Sequence, residues 1–464
     1  MLRGLGVDRA IGYGVLTRLW SVLAGPLTIM LIATKFTKVQ QGFYYTFASL
    51  LALQVFFELG LVTVIAQFAS HEFTNLKWGY KGNVEGDSYS CSRLLNLLCK
   101  AMIWFGVASL LLVIGLIPAG LIFFHANDNT TPDFAWRIPW MLAVIGTAMN
   151  LIVTPFFAVI MGSGDVTTVN HRQMLGGIVG SCISWLAIGL NFGLYAVSAV
   201  SAGNILISWS YLVKYKPGLL KLVWNELLSI TMKKGNNSIS WWGEVWPMQW
   251  KIALSWVAGY FIFQLFTPVL FHYHGAVIAG QMGITLSASN ALLAICITWM
   301  NSRSPEFGKF VAFKKWDELD RLFSRTMIYS VIVAIIGAFI CLSCIWYLQE
   351  YYTIGQRFLP ASQAAMLLVA TVATVIIYGF ATYLRAHKQE PLLMVSLIGA
   401  LLQGFATWFL GKYYTSTDVI IGFMSISVFF SLPAVFFVWR SYKRRWHSTN
   451  YKSENAGLTR TANH

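Results

Sequence analysis

Residues 252–302 read IALSWVAGYFIFQLFTPVLFHYHGAVIAGQMGITLSASNALLAICITWMNS, 51 positions without one Asp, Glu, Lys or Arg. A helix that crosses a bilayer needs about 20 mostly apolar residues. The stretch therefore holds two spans, 251–271 and 276–300, on either side of a tight turn flanked by His272 and His274. The pattern recurs along the chain. Apolar runs at about 12–34, 43–68, 100–124, 138–161, 174–193 and 195–213 precede it, and runs at about 327–348, 361–384, 391–411 and 419–439 follow it. Of 464 residues, 57% are hydrophobic and 11% charged, with mean hydropathy +0.62. A soluble domain carries about 25% charged residues. The ten-residue alternation of a membrane β-barrel is not visible. These features predict an all-α polytopic membrane protein of about twelve transmembrane helices. They exclude an ordinary cytosolic enzyme, a disordered chain and a coiled coil.

Basic residues set the orientation. With the N-terminus cytoplasmic, 26 Lys and Arg fall on the cytoplasmic side and five (Lys35, Lys38, Arg137, Arg357 and Lys412) on the other. Cytoplasmic segments carry the excess in membrane proteins, so both termini are predicted to be cytoplasmic. The net charge of +15 is thereby a topology signal, and no continuous basic stripe with interleaved aromatics points to nucleic acid. The first ten residues are too polar, and the first apolar run too long, for a cleavable signal peptide.

The longest cytoplasmic connection, 214–250, divides the spans six and six. In it Leu219, Leu220, Leu222, Val223, Leu227, Leu228 and Ile230 alternate with Lys216, Lys221, Glu226 and Lys233, a pattern suited to an amphipathic helix on the inner leaflet. Trp241, Trp242, Trp246 and Trp250 then mark the interface. Ser21-Val22-Leu23-Ala24-Gly25 in the first span aligns with Ser255-Trp256-Val257-Ala258-Gly259 in the seventh, each shortly after an intramembrane cation, Arg18 or Lys251. The expected organisation is two pseudo-symmetric six-helix lobes, 1–213 and 251–440, with the linker 214–250 between them and a basic tail, 441–464.

A charge at the centre of a span is costly and usually has a task. Glu58 is the deepest: residues 39–57 and 59–71 carry no formal charge. At 1.5 Å per residue it lies roughly 15 Å inside its span. It reads as a proton or cation switch, or as a hydrogen-bond partner for a neighbouring helix. Arg18 and Lys251 read as interfacial anchors, or as a pair flanking a cavity that attracts a phosphorylated head group. Small polar residues, among them Gln54, Asn150, Gln249, Gln264 and Gln281, are candidates for a wet path or for contacts between helices. Asp165, His171 and Arg172 fall in what reads as a solvated turn between the fourth and fifth runs. Cys341 and Cys344 are spaced like a CxxC, but no further Cys or His accompanies them, so no metal site is expected. No P-loop, dinucleotide fingerprint, H-E-x-x-H or paired catalytic carboxylates occur, and no cofactor is implied. Asn129-Thr130-Thr131 is a glycosylation triplet on the outer side.

Several motifs resemble those of O-antigen and polysaccharide flippases, within the multidrug/oligosaccharidyl-lipid/polysaccharide exporter superfamily. They are Trp246-Pro247-Met248-Gln249-Trp250-Lys251 running into Ala253-Leu254-Ser255-Trp256 and Gly259-Tyr260-Phe261, Gly280-Gln281-Met282-Gly283, Ser304-Pro305-Glu306-Phe307-Gly308, and Phe57-Glu58-Leu59-Gly60-Leu61. The resemblance implies a bundle of twelve helices in the bacterial inner membrane. That bundle would carry an undecaprenyl-pyrophosphate-linked oligosaccharide from the cytoplasmic to the periplasmic leaflet by alternating access, with a proton or sodium gradient as a driving force. Carried onto this chain, it assigns Arg18 and Lys251 to the phosphates, Gln54 and Gln281 to substrate contacts, and Glu58 to gating or ion coupling. An ion-coupled drug or cation antiporter of the same superfamily is the nearest rival, although one buried carboxylate against two cations tilts the chemistry towards an anionic substrate. A membrane polysaccharide polymerase is the rival from the enzymes; the outer loops, with Asp128, Asp133 and Glu350, offer it little.

Overall fold

The computed structural model describes residues 9–126, 134–228, 241–387 and 390–461. The first span is α1 (Arg9–Lys35), and the second comes in pieces: α2 (Lys38–Leu51), a tight turn over 52–54, α3 (Val55–Glu58) and α4 (Leu61–Glu72). Thr37 starts α2 with a reciprocal cap, its Oγ1 accepting from the Gln40 N–H and its own N–H donating to Gln40 Oε1. A short antiparallel hairpin follows, β1 (Leu76–Trp78) paired with β2 (Val84–Gly86). The sequence did not announce it, because strands of three residues are too short for an alternating pattern.

Next come α5 (Ser88–Ala126), α6 (Arg137–Gly162), α7 (Val166–Gly189), α8 (Tyr195–Tyr215) and α9 (Pro217–Leu228). Asp87 caps α5 by accepting from the Ser90 N–H at 2.9 Å, and this bond holds its carboxyl below the usual range. After a π-helical turn over 241–245 stand α10 (Trp246–Phe263), α11 (Phe266–His274) and α12 (Ala276–Ala312). The chain closes with α13 (Trp316–Tyr351), α14 (Ala361–Ala386), α15 (Leu393–Tyr413), α16 (Ser416–Ser425) and α17 (Leu432–Thr461).

Every one of the twelve apolar runs falls on helix, the fifth ending early at Gly189 in a turn where Asn191 and Gly193 take positive φ. Among the described residues nine helices are long and apolar enough to cross a membrane, ten with the broken span α2–α4 counted. The two others are α1, whose described apolar part is Leu23–Lys35, and α7, which carries Asn170-His171-Arg172-Gln173. The chain is a multi-pass, all-α membrane protein. The triplet Asn129–Thr131, with Asp128 and Asp133, lies outside the described residues, as do Ile230 and Lys233 of the linker.

Two compact units divide the chain, Met1–Gly283 and Ile284–His464, with the border inside α12. In the first, α7 packs on α1 and α8, and α6 on α4, α5 and α8. Gly42 on α2 lies against the backbone of Ala276, where a Cβ would overlap the Ala276 carbonyl oxygen, and the Gln41 side chain donates to the Gly280 carbonyl at 2.8 Å. Small residues let helix backbones approach in this way. The linker helix α9 packs on α5, with Leu219 and Val223 buried and Trp224 and Lys221 exposed. Beside it Lys216 lies over the Trp78 ring at 3.4 Å, and burial lowers its pKa, partly offset by Asp165.

In the second unit Met300, Phe307, Phe323 and Tyr383 form a core that Trp439 of α17 joins. Two further contacts hold the polar end of α17. Asp320 pairs with Lys443 at 2.7 Å and accepts from the Tyr383 hydroxyl at 2.9 Å. The His387 ring stacks on Trp446, 3.7 Å between centroids, and on Trp316 from its other neighbours at 5.8 Å.

Candidate functional site

The second span breaks within Phe57-Glu58-Leu59-Gly60-Leu61. Leu59 and Gly60 both take the left-handed conformation, φ 47° and 66°, and the axis turns by 43° between Glu58 and Leu61. Gly60 is needed twice: for its positive φ, and because a Cβ there would overlap the Ile252 side chain. A break in a span frees backbone groups that a neighbour must satisfy. Here the Trp104 indole N–H of α5 donates to the Phe57 carbonyl at 3.2 Å.

Glu58, the last residue before the break, lines a cavity of about 730 Å³ within the first unit. Gln54 lines it one turn earlier, with Tyr44 and Thr63. The other walls come from Thr147, Asn150 and Thr154 on α6, Arg172 and Gln173 on α7, Ser201 and Asn204 on α8, and Trp256 on α10. Threonines 147 and 154 spend their hydroxyl protons on carbonyls of their own helix. The Asn150 amide donates to the Ser201 carbonyl at 3.3 Å. Gln54 and Gln173 make no side-chain hydrogen bond among the described residues, so both amides are available to a guest's hydroxyls.

Two charges face this cavity. Arg172 donates to the Ser208 hydroxyl at 2.7 Å and lies over the Phe157 ring at 4.4 Å, while its Nε is buried without a hydrogen-bond partner. Among the described residues it has no carboxylate within ion-pair distance, and Glu58 likewise makes no ion pair or side-chain hydrogen bond. A half-buried cation and a half-buried carboxylate, unpaired in one polar cavity, can receive a ligand that carries its own charge and hydroxyl groups. No group of three or more His, Cys, Asp or Glu among the described residues is placed to share a metal ion.

Of the residues singled out in the sequence, Gln54 and Glu58 come together in this cavity, along with Asn150. Gln281 stands on α12 outside its walls. Arg18 is on α1 and Lys251 on α10, and the side chains of both lie outside the described residues. Gln249 is fully buried, with neither side-chain polar atom hydrogen-bonded. One reading is corrected. His171 and Arg172 do not sit in a solvated turn, because Asp165 accepts from the Thr168 N–H and starts α7 at Val166, well before the apolar run. That start carries both residues onto the helix, where the His171 ring meets Tyr13 at 4.6 Å. Asp165 three residues before Thr168 was the available signal, since an aspartate in that place is a helix N-cap.

Outside the cavity lining, Arg93 of α5 binds Glu72 at the end of α4 at 2.8 Å and Glu244 in the π-helical turn at 3.0 Å. Glu72 is the more buried partner, its side chain 12% exposed against 38% for Glu244. Arg93→Ala strands Glu72 and is expected to destabilise the protein by about 1–3 kcal/mol. Glu244→Gln, which removes only the exposed bond, is expected to cost under about 1 kcal/mol. Melting of the two purified variants in one detergent measures the difference, and equal shifts would refute the assignment.

No protein-family model matches the chain, and the search of curated proteins finds no match. Solved structures do resemble it. Lipid II flippase MurJ, in an inward closed conformation, matches 92% of this chain and 87% of its own with a TM-score of 0.59 at 13% identity. The Vibrio cholerae MATE transporter VcmN matches 94% and 98% with 0.56 at 13% identity. An inward-facing multidrug resistance MATE family transporter of the MOP superfamily matches 92% and 99% with 0.51 at 14% identity. At such identities the shared property is the fold: the chain has the helical fold of these solved structures.

Proposed function

We propose that the chain is a flippase for an undecaprenyl-pyrophosphate-linked oligosaccharide, an O-antigen or other surface polysaccharide repeat unit. It moves this lipid from the cytoplasmic to the periplasmic leaflet of the bacterial inner membrane by alternating access of its two lobes, with both termini cytoplasmic. The observation that carries the reading is the cavity of the first unit, with an unpaired arginine among unspent amides. Amides suit sugar hydroxyls, and a guanidinium suits phosphate oxygens, which it grips in pairs. The lipid tail stays in hydrocarbon while the protein shelters a head group that cannot cross unaided. In this reading Arg18 and Lys251 join Arg172 on the phosphates, Gln54 and Gln281 meet the saccharide, and Glu58, at the break of its helix, couples the cycle to a proton or sodium ion.

A drug or cation antiporter is the second reading, favoured by the unpaired Glu58 and by the multidrug transporters that share the fold. Cells depleted of the protein discriminate. Single lipid-linked units trapped on the cytoplasmic leaflet, with surface polymer lost, are expected. Units that reach the periplasmic leaflet and fail to polymerise would instead point to an enzyme, and unaltered polymer with new drug sensitivity to an antiporter. Arg18→Ala and Lys251→Ala are each expected to reduce export at normal membrane levels, and a double variant as active as the parent would remove them from the site.

A further inference from the structure

We propose that the polar end of α17 binds the head group of an anionic phospholipid. Phe437, Arg440, Ser441 and Arg444 stand at i, i+3, i+4 and i+7, so they form one face of the helix. With Arg445 they line an open hollow of about 530 Å³ on the surface of the second unit. Phe437 closes the apolar run and is 66% exposed, and Arg440 and Arg444 follow it at successive turns. The face therefore passes from an apolar side chain to two cations within about 10 Å of helix. That is the order in which a phospholipid presents its acyl chain and its phosphate.

The opposite face of the same turns is fixed. Lys443 is held by Asp320, Trp439 is packed in the core, and Trp446 stacks on His387. These contacts spend one basic residue on the protein and turn the arginines outward. Among the described residues neither Arg440 nor Arg444 makes an ion pair or a side-chain hydrogen bond. An array whose backbone is already ordered loses little freedom on binding, and guanidinium groups grip phosphate oxygens bidentately. A zwitterionic lipid brings a cation of its own to the arginines, so an anionic head group such as phosphatidylglycerol is the fit.

The test titrates the full chain, purified in detergent, with phosphatidylglycerol or phosphatidylcholine and counts bound lipid by native mass spectrometry. Phosphatidylglycerol is expected to remain bound at concentrations where phosphatidylcholine is lost. The variant carrying both Arg440→Gln and Arg444→Gln is expected to bind it about 30-fold more weakly, whereas Arg321→Gln, an exposed cation on another helix, leaves binding unchanged. Equal retention of the two lipids, or a double variant that binds like the parent, overturns the proposal. Displacement by millimolar inorganic phosphate would make this a site for free anions. Displacement by farnesyl pyrophosphate ahead of phosphatidylglycerol would assign it to a prenyl pyrophosphate. Either result would also overturn the proposal.

Discussion

If the proposed flippase function holds, Arg172→Gln is expected to lower export of the lipid-linked oligosaccharide at least tenfold while leaving the protein at its normal level in the membrane. Gln keeps a polar side chain, shorter than that of Arg, and removes the charge and the guanidinium fork. Losing a charge-assisted hydrogen bond to a phosphate costs about 1.5–3 kcal/mol, which is roughly 10- to 150-fold in affinity. Arg172→Lys keeps the charge without the planar fork and is expected to fall between the two. The bond from Arg172 to Ser208 also ties α7 to α8, so a purely structural role has to be separated. Ser208→Ala breaks that bond and keeps the cation; it is expected to export at close to the parent rate. The readout is the amount of surface polymer in cells that lack the native copy. Parent-like polymer with Arg172→Gln would remove the arginine from the site, and equal losses in Arg172→Gln and Ser208→Ala would mean it acts only as a brace.

Gly42→Val is expected to have the largest effect on folding. At this position the backbones of α2 and Ala276 are in contact, and even a Cβ would overlap the Ala276 carbonyl. Rigid backbone stands opposite, so no side chain can swing away. The two helices have to part, and with them the bond from Gln41 to the Gly280 carbonyl. Overpacking typically costs about 1–3 kcal/mol, and rigid backbone opposite puts this site at the upper end. Gly106→Ala on α5 is the control, because nothing lies within 4 Å of the added atom. Size-exclusion profiles after detergent extraction should show the Gly106 variant monodisperse and the Gly42 variant aggregated or depleted. Similar profiles would contradict the close crossing.

The sequence made the helices legible for a simple reason: hydrocarbon demands long apolar runs, and the runs can be counted. It was least clear where a span owes its place to other helices. Helix α7 carries Asn170, His171, Arg172 and Gln173 because α1, α6 and α8 cover much of it, so its polar half read as a turn. The same mistake hid the arginine of the cavity. Glu58 was legible because nothing charged stands near it in the chain, and Gln54 because it lies one turn away. Asn204 and Gln173 could not be chosen ahead of other polar residues, since their position depends on how α7 and α8 pack. The contact of the start of α12 with α2 was also hidden, because it depends on the close approach of Gly42 and Gly280.

The break at Leu59–Gly60 has a consequence for the order in which the protein is made. A continuous helix enters the bilayer with its hydrogen bonds already complete, but the span from Lys38 to Glu72 does not. Its Phe57 carbonyl is answered by Trp104, which leaves the ribosome some 47 residues later. The notch at Gly60 is filled by Ile252, which belongs to the seventh run. The second span therefore reaches its final shape only when the third and the seventh have been delivered. A ribosome stalled before α10 should hold this segment in a state that a protease or a cysteine-directed label can tell apart from the finished one.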